Sequence, residues 1–235
     1  MIRCWQLVDA EFDRVAHDYE TQHAAATRLS GEETEFFARY KVQDARHIAA
    51  AANCMPTRIL DFGSGVGNSV APLQGEFPTA ELTCLDVSAA SIDYSRHRNG
   101  DGPDYRTYDG HTLPDDLGLF DLVFTACVFH HIPADQHVGI LRQLRTRLRP
   151  NGLLVLFEHN PWNPLTRHSV DSCPFDVNAV LIDGPEMRRR ILAAGFAHCD
   201  LRYRLFFPRP LAALRPLERL LTALPLGAQY SLAAR

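Results

Sequence analysis

With 235 residues, an apolar share of 46% and a net charge of -4, the chain is long enough for one α/β domain with a sizeable core and an appendage. The slightly acidic balance supplies no global basic field, so nucleic acid is not an expected partner. The six cysteines, at positions 4, 54, 84, 127, 173 and 199, include no CxxC pair, which argues against a zinc ribbon or a thioredoxin-like site, and no metal is expected.

The N-terminus reaches Asp9, Glu11 and Asp13 without an apolar h-region, so no signal peptide is expected. Residues 9–20 and 32–52 read as helices. In the second, Phe36, Phe37, Tyr40, Ala45, Ile48 and Ala49 recur at roughly helical spacing, and Met55-Pro56 ends it. Strands and helices then alternate. "RILDF" (58–62) is followed by a helix over about 68–76, "ELTCLD" (81–86) by a helix over about 88–97, and "DYRTYD" (104–109) by "FDLVFTAC" (120–127). A helix over about 134–148 buries Val138, Leu141, Leu144 and Leu148, and "RPNG" stops it before "GLLVLFE" (152–158). Nearly continuous apolar strands suit a parallel sheet covered by helices on both faces. Residues 159–182, rich in Pro, Asn and Asp, read as a long loop or insertion. A helix at 185–194, a strand near 201–207, a Leu-rich helix near 211–224 and a strand near 228–234 complete the chain. No segment is long and apolar enough to span a bilayer. Cys84 and Cys127 lie inside apolar runs, which points to reduced thiols and a cytoplasmic protein.

The stretch "ILDFGSGVGNS" (59–69) places Gly63, Gly65 and Gly67 directly after a strand and before a helix. Glycine permits tight turns and close approach of a ligand to the main chain. A helix N-terminus offers free N–H groups and a positive dipole end. In a doubly wound sheet this is the crevice where ligands bind. Asp86 ends the next strand, where a carboxylate can accept both hydroxyls of a ribose, while Ser88 is placed to cap the following helix. Asp109, in "YDG", is placed either to accept from an adenine amino group or to form an Asp-Gly turn.

The spacing is G-x-G-x-G rather than the dinucleotide G-x-G-x-x-G. "DFGSGVG" resembles motif I of the class I S-adenosylmethionine (SAM)-dependent methyltransferases, and "LDVS", "YDG", "FDLVFTACVFHHIP" and "LRPNGLLVLFE" look like the later motifs in the right order. The resemblance covers residues 57–158, with the closest likeness to small-molecule enzymes of the ubiquinone-biosynthesis type. It implies a Rossmann-like seven-stranded α/β sheet in the order 3-2-1-4-5-7-6, strand 7 antiparallel, beneath an N-terminal helical lid. The corresponding division is a lid over 1–52 and a SAM-binding domain over 53–235. The resemblance also implies that Gly63, Ser64, Gly65 and Gly67 face the methionine part of SAM, with Asp61 near its amino group. Asp86 and Val87 would hold the ribose, Asp109 and Gly110 would flank the adenine, and Ala126 and Cys127 would lie beside the cofactor.

Methyl transfer from a sulfonium is an in-line displacement with a neutral leaving group, so positioning and exclusion of water matter most. A base helps when the acceptor is a hydroxyl or a protonated amine. His130 and His131 close the fourth strand. Alternation on an extended stretch turns one of them toward the site, and His131 is the preferred base or substrate contact. Glu158, His159, Asn160 and Asn163 leave the fifth strand at the same edge, with Trp162 as an apolar wall and Arg167 as an anion contact. Asn160 is the further catalytic candidate there, and Glu158, Asn163 and Arg167 are acceptor-binding candidates. Tyr19 from "VAHDYE", as a catalytic group, and Tyr40-Lys41 from "ARYK", as acceptor contacts, are the lid's contributions.

The expected activity is O- or N-methyl transfer to a small-molecule acceptor, with a homodimer as a further candidate assembly. Two alternatives keep SAM: its intramolecular cyclisation, which releases methylthioadenosine, and binding without turnover by a regulatory subunit.

Overall fold

The computed structural model describes residues 31–173 and 178–235. Seven strands form one sheet in the order β3-β2-β1-β4-β5-β7-β6. They are β1 (Arg58–Phe62), β2 (Glu81–Asp86), β3 (Asp104–Thr107), β4 (Phe120–Ala126), β5 (Leu148–His159), β6 (Cys199–Arg204) and β7 (Gln229–Ala234). The first five run parallel, and β7 pairs antiparallel with both β5 and β6. Topology and strand order are as the motif order implied. The chain reverses between β1 and β4, so the crevice at the carboxyl ends of β1, β2 and β4 is the topological switch point.

Helices cover both faces. They are α1 (Thr34–Ala51), α2 (Val70–Glu76), α3 (Ala89–Asn99), α4 (His137–Thr146), α5 (Pro164–Asp171), α6 (Gly184–Ala193) and the single turn α7 (Glu218–Leu221). One core layer joins Val42, Ala45 and Ala49 of α1 to Ile59, Phe124, Val155 and Phe157. The other joins Leu141 and Leu144 of α4 and Met187 and Ile191 of α6 to Leu60, Leu154 and Tyr230. The apolar positions at three- and four-residue spacing on α1 and α4 are the ones that meet the sheet, because those positions share a helix face. The part of the expected lid that is described, residues 31–52, thus contributes a full side of its helix to the sheet's core. The helix expected over 9–20 lies outside the described residues.

Two segments differ from the sequence reading. Within 159–182 the chain forms α5, because Asn163 caps it by accepting from the amides of Leu165 and Thr166, with Pro164 at the first helical position. The Leu-rich stretch near 211–224 is a 3-10 run over Arg209–Leu217 followed by α7. Pro210 and Pro216 remove the donors that a continuous α-helix needs. The five described cysteines are free thiols, and no described helix is long and apolar enough to cross a membrane.

Candidate active site

The glycine loop leaves β1 through three left-handed turns, at Gly63 (φ 72°), Gly65 (φ 50°) and Gly67 (φ 78°). A side chain on Gly63 would collide with Val128, and one on Gly67 with Ser95. At Gly65 nothing lies within 4 Å of an added Cβ. The first and third glycines are therefore required by packing, whereas the second opens onto free space beside the crevice. The loop is tied back to β2: Gly63 and Ser64 donate to the Leu85 carbonyl at 2.8 and 3.2 Å. The Asp86 carboxylate accepts from Gly65 N at 2.8 Å and from Ser88 N at 2.9 Å. Ser88 caps α3, accepting from Ser91 N, so Asp86 stays at the ligand edge with half-buried Val87 beside it.

Two polar atoms under this loop are buried without a hydrogen-bond partner among the described residues: Asp61 Oδ2 and Ser64 Oγ. Asp61 is 2% exposed. Burial and, second, the neighbouring Asp86 carboxylate push its pKa up to about 7. A buried carboxyl oxygen with no donor costs free energy, and such groups are normally paired. That oxygen therefore calls for a donor, and the ammonium of an amino acid moiety is one of the right charge.

At the β3 end, Asp109 Oδ1 accepts from the amides of His111 and Thr112 at 2.8 and 2.7 Å, and those amides hold its carboxyl below the usual carboxylate range. Of the two readings of "YDG", the turn is thus present, with buried Gly110 (φ 80°) following it.

The β4 tip is more elaborate than the sequence suggested. Cys127 leaves half-buried Ala126 with φ 60°. Its Sγ faces Lys41 Nζ of α1 at 3.2 Å and Gln229 Nε2 of β7 at 3.9 Å. Burial works against ionisation of this thiol, but His159 and Lys41 outweigh it and bring its pKa down to about 6. Lys41, read as an acceptor contact, is buried on this sulfur. Tyr40 reaches Glu218 Oε2 at 3.4 Å. Burial first, then Glu218 and Asp44, raise its pKa well above the usual phenol value.

His130 and His131 lie on a 3-10 turn (Phe129–His131) rather than on an extended strand, so strand alternation does not govern them; their rings are 4.1 Å apart. His130 Nδ1 pairs with Glu158 Oε2 at 2.6 Å, and Phe129 N donates to Glu158 Oε1 at 2.7 Å. Burial opposes ionisation of Glu158, but His130 outweighs it and holds the carboxyl well below the usual carboxylate range. Both oxygens of Glu158 are therefore turned inward to fix the β4–α4 turn that presents half-buried His131. Asn160 is 0% exposed. It donates to the Pro225 and Gly227 carbonyls at 3.1 and 2.8 Å and accepts from Trp162 N. Asn163 donates to Leu226 O at 2.8 Å. These two asparagines brace α5 against the β7 approach, a different task from the catalytic role expected of Asn160 and the acceptor contact expected of Asn163. Arg167 is exposed on α5. Tyr19 lies outside the described residues.

The sequence reading placed His130 and His159 at the catalytic edge without giving them a role, and it passed over Gln229. Gln229 meets Cys127 only because β7 runs antiparallel, which sets its first residue opposite His159 at the end of β5. No local spacing carries that signal.

A glycine loop at the switch point, an acid at the end of β2 and an antiparallel β7 define a nucleotide-cofactor-binding sheet of the methyltransferase type. Residues 60–154 match the family described as methyltransferase domain. Demethylmenaquinone methyltransferase of Thermotoga maritima is 28% identical over 65% of this chain and 61% of its own length. Fatty-acid O-methyltransferase of Mycolicibacterium smegmatis is 27% identical over 66% of this chain and 56% of its own. The chain therefore spans only about three-fifths of the length of these curated relatives. Among solved structures, the DhpI–SAH complex superposes with a TM-score of 0.63 at 17% identity, covering 99% of this chain and 96% of that one. Over residues 60–154 the chain is thus similar to the methyltransferase domain, and its fold is that of the SAM-dependent methyltransferases.

Proposed function

We propose that the protein transfers the methyl group of SAM to a small-molecule acceptor. The observation that carries this reading is the pair of unpartnered buried atoms, Asp61 Oδ2 and Ser64 Oγ, beneath a glycine loop with open space at Gly65. In this reading Asp61 takes the ammonium of the methionine moiety, and Asp86 adds the ribose hydroxyls to the amides it already holds. Gly63, Ser64, Gly65 and Gly67 cradle the methionine, Val87 borders the ribose, and Asp109 and Gly110 shape the adenine end. The sulfonium supplies an activated methyl and leaves as a neutral thioether. This chain's work is then to align the acceptor atom and exclude water.

On the acceptor side, the β4 tip (Ala126, Cys127), His131 and the exposed Arg167 border the space over the cofactor. Glu158, Asn160 and Asn163 position that wall. In this reading Lys41 of α1, beside Cys127, and Tyr40 support that wall from the described part of the expected lid. The relatives' names include a fatty-acid O-methyltransferase, which supports an oxygen nucleophile; nitrogen is the other nucleophile of this reading, and His131 is its base. A cytoplasmic setting and a homodimer complete the proposal.

The test is incubation of purified protein with SAM and a panel of acceptors, followed by mass spectrometry. Formation of S-adenosylhomocysteine dependent on an acceptor is expected. Methylthioadenosine from SAM alone would replace this reading by cyclisation. Tight SAM binding with neither product would replace it by a regulatory role.

A further inference from the structure

Three strands end together at the sheet's carboxyl edge, and their tips face one sulfur. From β4 comes Cys127, whose backbone turns left-handed at that point. From β5 comes His159, the largest of the influences that favour the thiolate, and opposite it across the ladder sits Gln229 of β7. The fourth member is Lys41 of α1, 9% exposed and 3.2 Å from the sulfur. Gln229 is 6% exposed, and its Oε1 has no partner among the described residues.

We propose that Cys127 is a reactive thiolate that takes a hydroperoxide as its electrophile and is converted to a sulfenic acid. A buried ammonium 3.2 Å away and a histidine on the same sulfur stabilise the anion, and the thiolate is the nucleophilic form of cysteine. Sγ attacks the near oxygen of the peroxide. The S–O bond forms as the O–O bond breaks, the sulfur loses two electrons, and the far oxygen leaves as hydroxide or alkoxide and takes a proton from water. The new S–OH needs an acceptor, and Gln229, whose Nε2 now faces the sulfur, carries an unused one in Oε1 that a turn of the amide would present. Oxidation also removes the negative charge facing Lys41. A buried ammonium without its counter-charge is costly, so the contact between α1 and the β4 tip weakens.

The surroundings separate this thiol from the others. Cys54, Cys84 and Cys199 are buried. Burial raises all three, Cys199 to about 12. Glu158 is the carboxylate that opposes ionisation of Cys127, and its oxygens are already engaged by Phe129 N and by His130.

The experiment uses the intact protein without SAM or acceptor, so it is blind to whether the methyltransferase reading holds. Iodoacetamide labelling is followed peptide by peptide between pH 5 and 9, and hydrogen peroxide is added in parallel with dimedone to trap sulfenic acid. The Cys127 peptide should label with a midpoint near pH 6 and carry the dimedone adduct, while those of Cys54, Cys84 and Cys199 stay unmodified. Lys41→Met should slow Cys127 labelling at pH 7 by about tenfold, and Lys41→Arg should restore it, since loss of the cation returns the thiol toward its ordinary pKa of about 8.5. A wild-type midpoint at pH 8 or above, or peroxide treatment that leaves Cys127 free of dimedone, overturns the proposal. If Lys41→Met does not fold, the wild-type pH profile and the trapping decide alone.

Discussion

Acidification through the Asp61 titration should weaken cofactor binding by a calculable factor. Asp61 is buried beneath the glycine loop, one oxygen has no partner among the described residues, and its pKa stands at about 7. A carboxyl with that pKa is about 3% ionised at pH 5.5 and about half ionised at pH 7. If the ammonium of the ligand binds the carboxylate, affinity follows the ionised fraction, so Kd should rise about 15-fold from pH 7 to pH 5.5, or about 1.6 kcal/mol. An α-amino group, with pKa about 7.7–8.0, stays largely charged across this window and does not compete as a cause. S-adenosylhomocysteine carries the same ammonium and is the convenient ligand. Calorimetric titration at pH 6 in buffers of different ionisation enthalpy should show release of about 0.9 proton per ligand bound. The ligand-free fold should show the opposite linkage. Folding raises this pKa from 3.8 to about 7, so the protonated carboxyl contributes stability below 3.8 that is lost as pH rises through about 7. Asp61→Asn should therefore melt higher than wild type at pH 8 and bind ligand weakly at every pH. A flat Kd across pH 5.5–7 with no proton release would refute the ammonium placement.

Gly65→Val should leave the fold standing, because nothing lies within 4 Å of the added Cβ. The positive φ costs about 1–2 kcal/mol, and the side chain fills the open space, so calorimetry should show SAM binding lost in a protein that still melts cooperatively. Glu158→Gln removes a buried carboxylate held by His130 and Phe129 N, and thermal or urea unfolding should show a loss of about 3–5 kcal/mol. Because Glu158 is held below its ordinary 4.5, its contribution is present above that value and fades as the pH falls further; in Glu158→Gln this part of the acid dependence should vanish. Asn160→Ala breaks two hydrogen bonds from a fully buried amide to Pro225 and Gly227. It should cost about 1–3 kcal/mol of stability, read by denaturant unfolding, with a larger loss in acceptor KM than in SAM affinity.

The sheet was legible in the residues because its signals are local. Apolar runs such as "RILDF" and "ELTCLD" end in acids, and glycines stand where a left-handed turn or a close approach excludes every side chain. Gly63 and Gly67 are forced by Val128 and Ser95, and motif order then supplied the strand order. Capping was equally local: Asn163-Pro164 announces a helix start, although the density of Pro and Asn around it reads as loop. The acceptor side was legible only as a neighbourhood. Asn160 and Asn163 leave β5 in the expected direction, but their amides go to carbonyls more than 60 residues away, at Pro225, Leu226 and Gly227. Glu158 of β5 pairs with His130 of the 3-10 turn that follows β4. Cys127 acquires its character from Lys41, His159 and Gln229, which belong to three different elements. Backbone conformation follows from neighbours along the chain, which a sequence displays. Side-chain pairing and the ionisation it sets depend on groups brought together through space, and here the antiparallel turn of β7 and the packing of α1 across β4 and β5 made those choices.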